Sequence, residues 1–70
     1  MKRVPIRSTA IRSAAYSAEK HVLEIEFITR LVYQYQHVPR AIFRALMKAK
    51  SKGRYFNEKI RDHYVYRPVA

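Results

Sequence analysis

Seventy residues are room for one domain, and a chain this short buries only a modest share of its surface. It has no cysteine, which excludes disulfides and cysteine-based zinc sites. Fifteen Lys and Arg against five Asp and Glu give a net charge of +10, while 49% apolar residues exclude a disordered polyelectrolyte.

The positive charge is uneven. Residues 1–38 carry six basic and three acidic side chains, and residues 39–70 carry nine and two, so the net charge is +3 in the first part and +7 in the second. A field of this sign concentrates polyanions whatever fold lies beneath it. Lys2-Arg3 is followed by no apolar stretch of signal-peptide length, and Arg30 and Arg44 interrupt the longest apolar runs. No membrane span is expected, and the default location is cytoplasmic.

In chain order, residues 9–16 form a first, weakly patterned strand, joined to the next through residues 17–20. Leu23, Ile25 and Phe27 then alternate with Glu24 and Glu26, the period of a half-buried strand. Leu31, Tyr33 and Tyr35 alternate with Gln34 and Gln36 in the same way. A three-residue loop, Ile28-Thr29-Arg30, pairs Phe27 with Leu31, Ile25 with Tyr33 and Leu23 with Tyr35, which puts every apolar partner on one face. A two-residue loop would set Ile25 against Gln34 and mix the faces, so the longer loop is expected.

At Pro39 the period changes. Proline suits a helix start, and at 100° per residue Ile42, Phe43, Leu46, Met47 and Ala49 share one arc. Arg40, Arg44 and Lys48 fall opposite them. Lys50 lies inside the apolar arc, so the helix should end before it. Ser51 suits the cap of a second helix, with Phe56, Ile60 and Tyr64 four apart along one stripe. Tyr66 and Val69 fall in an extended tail. The fold class expected is α+β, a three-stranded antiparallel meander followed by two packed helices. The single domain, 1–70, has its core at about 8–64 and loose ends at 1–7 and 65–70.

The stripe Arg40, Arg44 and Lys48, continued by Lys50, Lys52 and Arg54, is the leading candidate site. Only Glu58 and Asp62 offer carboxylates after residue 38. Such a stripe can track phosphates, because each neutralised phosphate releases condensed counterions. Tyr55, off the Phe56 stripe, and Tyr66, in the tail, are the tyrosines expected to stack on bases. Gly53 could leave backbone N–H groups open to an anion at a helix start, but a tight turn between helices with positive φ is the simpler expectation. Glu24 and Glu26 share a strand face, where cross-strand pairing with Arg12 or Gln34 outweighs acid–base chemistry. His21, His37 and His63 have no metal-ligand spacing, and no serine or threonine stands in a relay pattern. No catalytic activity, metal or cofactor is expected.

One longer pattern resembles a known family. Val38-Pro39, Phe43, Leu46 and Ala49 lead into Ser51-Lys52-Gly53-Arg54-Tyr55-Phe56-Asn57, Ile60 and Arg61. Upstream stand Ser8, Ile11, Tyr16, Leu23 to Phe27 and Tyr33-Gln34-Tyr35. Over residues 8–64 this resembles the lysine-tRNA-synthetase C-terminal domain, or KTSC, family, with Ser-x-Gly-x-Tyr-Phe-Asn-x-x-Ile as the specific part. The resemblance implies a small α+β domain, found alone or at the end of lysyl-tRNA synthetases, and RNA binding has been proposed for the family from that context. The chain departs from the family pattern at Thr29-Arg30, where an Asn-Gly type turn is common, and at Ser17, where aspartate is common.

The function expected is a basic nucleic-acid-binding module, with RNA preferred over DNA. It would contact nucleic acid through Arg40, Arg44, Lys48, Lys50, Lys52, Arg54 and Arg61, with Tyr55 or Tyr66 stacking. The alternative is a protein-interaction module that docks its basic face on an acidic protein. Membrane-surface binding by residues 39–50 is disfavoured, because the apolar arc of that helix belongs to the core.

Overall fold

The computed structural model describes residues 1–69. Alternation of apolar and polar residues in the first half produces strands β2 (Ile11–Ser17), β3 (Val22–Phe27) and β4 (Val32–Tyr35). The expected register is present, with Leu23 opposite Tyr35 and Ile25 opposite Tyr33. Phe27 N–H donates to Leu31 O at 2.9 Å and Arg30 N–H to Phe27 O at 2.9 Å, which closes the three-residue loop. Arg30 has φ 75°, the left-handed position that such loops require and that glycine more often fills. Leu31 departs from the expectation. It lies on the loop end of the hairpin, beyond the helices, and is 48% exposed, while its neighbour Val32 is buried on the opposite face.

The sheet has five antiparallel strands rather than three, in the order β1-β2-β3-β4-β5. The ends expected to be loose supply the additional two. Val4–Pro5 form β1 along β2, and Tyr66–Pro68 form β5 along β4. β5 covers hydrogen-bonding groups that β4 would otherwise leave open at an edge. Its pairing is extended by Gln36 N–H to Val65 O and Val69 N–H to Val32 O, both 2.8 Å. Tyr66 also stacks on Tyr33, with ring centroids 4.8 Å apart. A three-residue strand with no buried side chain leaves no periodic signal in the sequence.

Two helices pack on one face of this sheet. Helix α1 (Arg40–Lys48) starts after Pro39 and buries Leu46, with Ile42, Phe43 and Met47 packed beside it. Helix α2 (Lys52–Lys59) is capped by Ser51, whose Oγ accepts from Arg54 N–H at 3.3 Å. Phe56 and Ile60 enter the same core as Ile11, Ala14, Leu23, Ile25 and Tyr35. Tyr16 ties α1 to β2 twice. Its ring stacks on Phe43 at 5.3 Å, and its hydroxyl donates to Val38 O at 2.6 Å.

The turn expected at Gly53 is not there. Gly53 lies inside α2, and no glycine has positive φ. The β1–β2 connection packs beside it at ordinary contact distance: a Cβ built on Gly53 would meet Ser8 Oγ at 3.4 Å and Ala10 Cβ at 3.6 Å.

Candidate nucleic-acid interface

The close approach at Gly53 creates a cleft of about 580 Å³ between the β1–β2 connection and the start of α2. Arg7 enters from the connection, and Lys50, Lys52 and Arg54 enter from the helix side. Four cations therefore face one concavity, with Glu58 as the single carboxylate on its wall. Arg54 pairs with Glu58 at 3.1 Å, an exposed i,i+4 contact worth only a few tenths of a kcal/mol. Lys52 is half-buried and its ammonium donates to Ala49 O at 2.8 Å, which closes the end of α1 and leaves two N–H donors for the cleft. Ser8 Oγ fixes the connection by accepting from Ala10 N–H at 3.1 Å and Ile11 N–H at 3.3 Å.

Arg40, Arg44 and Lys48 are exposed on the outer side of α1, as expected, and line no cleft. None pairs with a carboxylate among the described residues; the ion pairs there use Arg3, Arg12 and Arg54. Neither helix has an acidic residue in its first turn, although Arg40, Lys52 and Arg54 place cations there. Cations at the positive end of a helix dipole, and like charges four residues apart on α1, each cost a few tenths of a kcal/mol. Lys48 and Lys59 in the last turns act in the favourable sense, so the cost is confined to the first turns and to the α1 stripe.

A second groove, about 640 Å³, adjoins the first. Thr9, Ala10 and Asn57 line both. Its walls are aromatic: Phe27, Tyr33, Tyr35, Phe56 and Tyr66. The rings form a connected set, with Phe27 edge-on to Tyr33 and Phe56 at 5.4 Å, and Tyr35 edge-on to Phe56 at 5.6 Å. Arg61 and Asp62 stand at its rim, as do the exposed side chains of Ile28 and Leu31.

Of the expected site residues, the structure thus gathers Lys50, Lys52 and Arg54 in the basic cleft and Arg61 and Tyr66 in the aromatic groove. Tyr55 departs from the expectation. It is half-buried against the core on the side of α2 turned from both grooves, which does not suit stacking on a partner. Arg7, Thr9 and Asn57 join the site unexpectedly. Arg7 arrives through the packing of the β1–β2 connection on α2, a long-range contact with no local signature.

The sheet face away from the helices is a contrast. Glu24 accepts from Arg3 Nε at 2.7 Å and from Gln34 Nε2 at 2.9 Å, while Glu26 accepts from Ser13 Oγ at 2.8 Å. Arg3 and Arg12 also approach Glu26, at 3.5 and 4.0 Å. Burial alone would raise the Glu24 pKa, but the hydrogen bonds from Gln34 and Arg3, with the charge of Arg3, together hold it below the ordinary glutamate value. The Gln34 and Arg12 contacts follow the expected cross-strand pattern; Arg3 adds a third partner. Among the described residues no group of His, Asp and Glu could hold a metal ion, and no helix is long and apolar enough to cross a membrane.

A five-stranded antiparallel sheet with two helices on one face, and a cation-lined cleft where sheet and helix meet, defines a small α+β domain. The KTSC domain matches residues 7–64, and the chain belongs to that family. The crystal structure of a KTSC domain protein from Yersinia pestis superposes with a TM-score of 0.96 at 35% identity, covering 99% of this chain and 97% of that one. An uncharacterized protein of Stutzerimonas stutzeri is 42% identical over 67 residues, 94% of each chain. A protein of Tsukamurella paurometabola is 32% identical over 60 residues, 86% of this chain and 90% of its own.

Proposed function

We propose that this domain binds nucleic acid, RNA in preference to DNA, by holding phosphates in the basic cleft and along the outer side of α1. The observation that carries this reading is the convergence of Arg7, Lys50, Lys52 and Arg54 on one cleft with a single opposing carboxylate. A polyanion threaded there relieves the repulsion among these cations and meets the positive end of the α2 dipole. Contacts of this kind give affinity with little choice of sequence. RNA is the preferred polyanion because the resemblance to a domain carried by lysyl-tRNA synthetases implies it, and a cysteine-free chain suits the reducing cytoplasm.

Binding, without catalysis, fits the carboxylates. Glu24 and Glu26 are engaged by Arg3, Gln34 and Ser13 on the far face and lie away from both grooves. A pull-down of the tagged protein from its own cells, with and without ribonuclease, tests the reading. Recovered RNA should vanish with ribonuclease and fall several-fold for Arg44→Ala combined with Lys48→Ala. A single acidic protein retained after nuclease treatment, with no RNA before it, would replace this reading with docking on a protein.

A further inference from the structure

The aromatic groove has more chemistry than phosphate tracking uses. Its volume lies within the roughly 300–1,000 Å³ of small-ligand sites, and like them it is mostly apolar with a few convergent polar groups. The Tyr35 side chain is fully buried and forms part of the groove floor. Burial, with Tyr66 and Tyr33 nearby, pushes its pKa up, so at neutral pH its hydroxyl stays protonated. Tyr66 is 48% exposed and is held from below by Tyr33 at 4.8 Å, 24° from parallel, and by Tyr35 at 5.3 Å. A flat ring braced in this way offers a stacking surface with little freedom left to lose.

From the aromatic lining, the exposed and braced ring of Tyr66 and the shared wall with the basic cleft, we infer that this groove seats one unpaired base of a single-stranded RNA whose neighbouring phosphate lies in the cleft. The inference rests on the nucleic-acid reading and sharpens it to unpaired strands. A purely apolar peptide would use the rings and leave four adjoining cations unmatched. An acidic peptide would match the cations, but only an aromatic side chain would match the rings. A nucleotide supplies both parts, and the two grooves are joined by the shared wall of Thr9, Ala10 and Asn57. The exposed face of Tyr66, braced by Tyr33, stacks on the base, and Asn57 and Arg61 offer donors to its edge. A base in a duplex keeps its faces covered by its neighbours and cannot enter.

The test is a set of anisotropy titrations of the intact protein with three labelled strands of equal length: a single-stranded RNA, the same RNA as a duplex, and an abasic strand with the same number of phosphates. The single strand should bind about tenfold tighter than the other two. Tyr66→Leu should remove that preference and leave the weaker, phosphate-driven binding, while Tyr66→Phe keeps it. Circular dichroism melting of each variant reports whether β5 stays paired; should Tyr66→Leu unpair it, Tyr33→Leu makes the same test from β4. Equal affinity for all three strands, or an undiminished preference in both leucine variants, overturns the base site and leaves the phosphate reading intact. No binding of any strand overturns both.

Discussion

The two surfaces of this sheet use arginine in opposite ways. On the open face, Arg3 and Arg12 meet Glu24 and Glu26, and Gln34 and Ser13 fill the remaining acceptor positions. On the helical side, Arg40, Arg44, Lys48 and Lys50 are exposed with no carboxylate partner among the described residues, and Arg7 and Lys50 share a cleft with Lys52 and Arg54. The first group holds the edge strand β1 to the sheet. The second is largely left without carboxylate partners. Overall charge is thus a poor guide to function until its partners are known, because only the unpaired fraction is available to a ligand.

The comparison can be broken most severely at Phe56, which joins α2 to the helical side of the sheet. It is 5% exposed and contacts Phe27 and Tyr35 while helping to line the aromatic groove. Phe56→Ala should lower unfolding free energy by about 3–5 kcal/mol in denaturant titrations and abolish binding together with the fold. Next is the open face. Glu24→Ala removes the acceptor of two charge-assisted hydrogen bonds and should cost about 2 kcal/mol of stability with RNA affinity unchanged. The pH dependence has a fixed sign. Because the folded pKa of Glu24 is depressed, its contribution is complete above the ordinary glutamate value of 4.5 and disappears as pH falls through the lower folded value. Wild type and Glu24→Gln should therefore converge in stability in strong acid and diverge near neutrality.

The helical side should respond in the opposite sense. Arg7→Ala combined with Lys50→Ala should leave the melting temperature within a few degrees of wild type and weaken RNA binding about tenfold. The smallest effect belongs to Gly53→Ala. A methyl there makes ordinary contact with Ala10 Cβ at 3.6 Å and a closer one with Ser8 Oγ at 3.4 Å, and φ is not positive. Stability should rise by about 0.5 kcal/mol from reduced freedom of the unfolded chain, measured by thermal melting. A loss of stability instead would mean that the packing of the β1–β2 connection on α2 has no slack.

These regions also differ in how legible they were in the sequence. The hairpin of Leu23, Ile25, Tyr33 and Tyr35 was readable because strict alternation admits one register. The two helices were readable because the period changes at Pro39 and Ser51 offers a cap. β1 and β5 were hidden: strands of two and three residues have no period, and their place is decided by edges that exist only once the meander has formed. Gly53 suggested a turn because local sequence does not reveal Ser8 and Ala10 approaching from 43 or more residues away. The same packing brings Arg7 to the cleft, and the docking of β1 on β2 brings Arg3 to Glu24. The basic half of the site was legible from residues 50–54 alone, whereas the aromatic half required Tyr66 to return beside Tyr33.

The unpaired state of the helical cations is most directly tested by the salt dependence of RNA affinity. With about four phosphates held by Arg7, Lys50, Lys52 and the α1 face, log K against log salt should fall with a slope near −3 for a single strand. A flat dependence would contradict the account, since it would mean that these charges meet no phosphate.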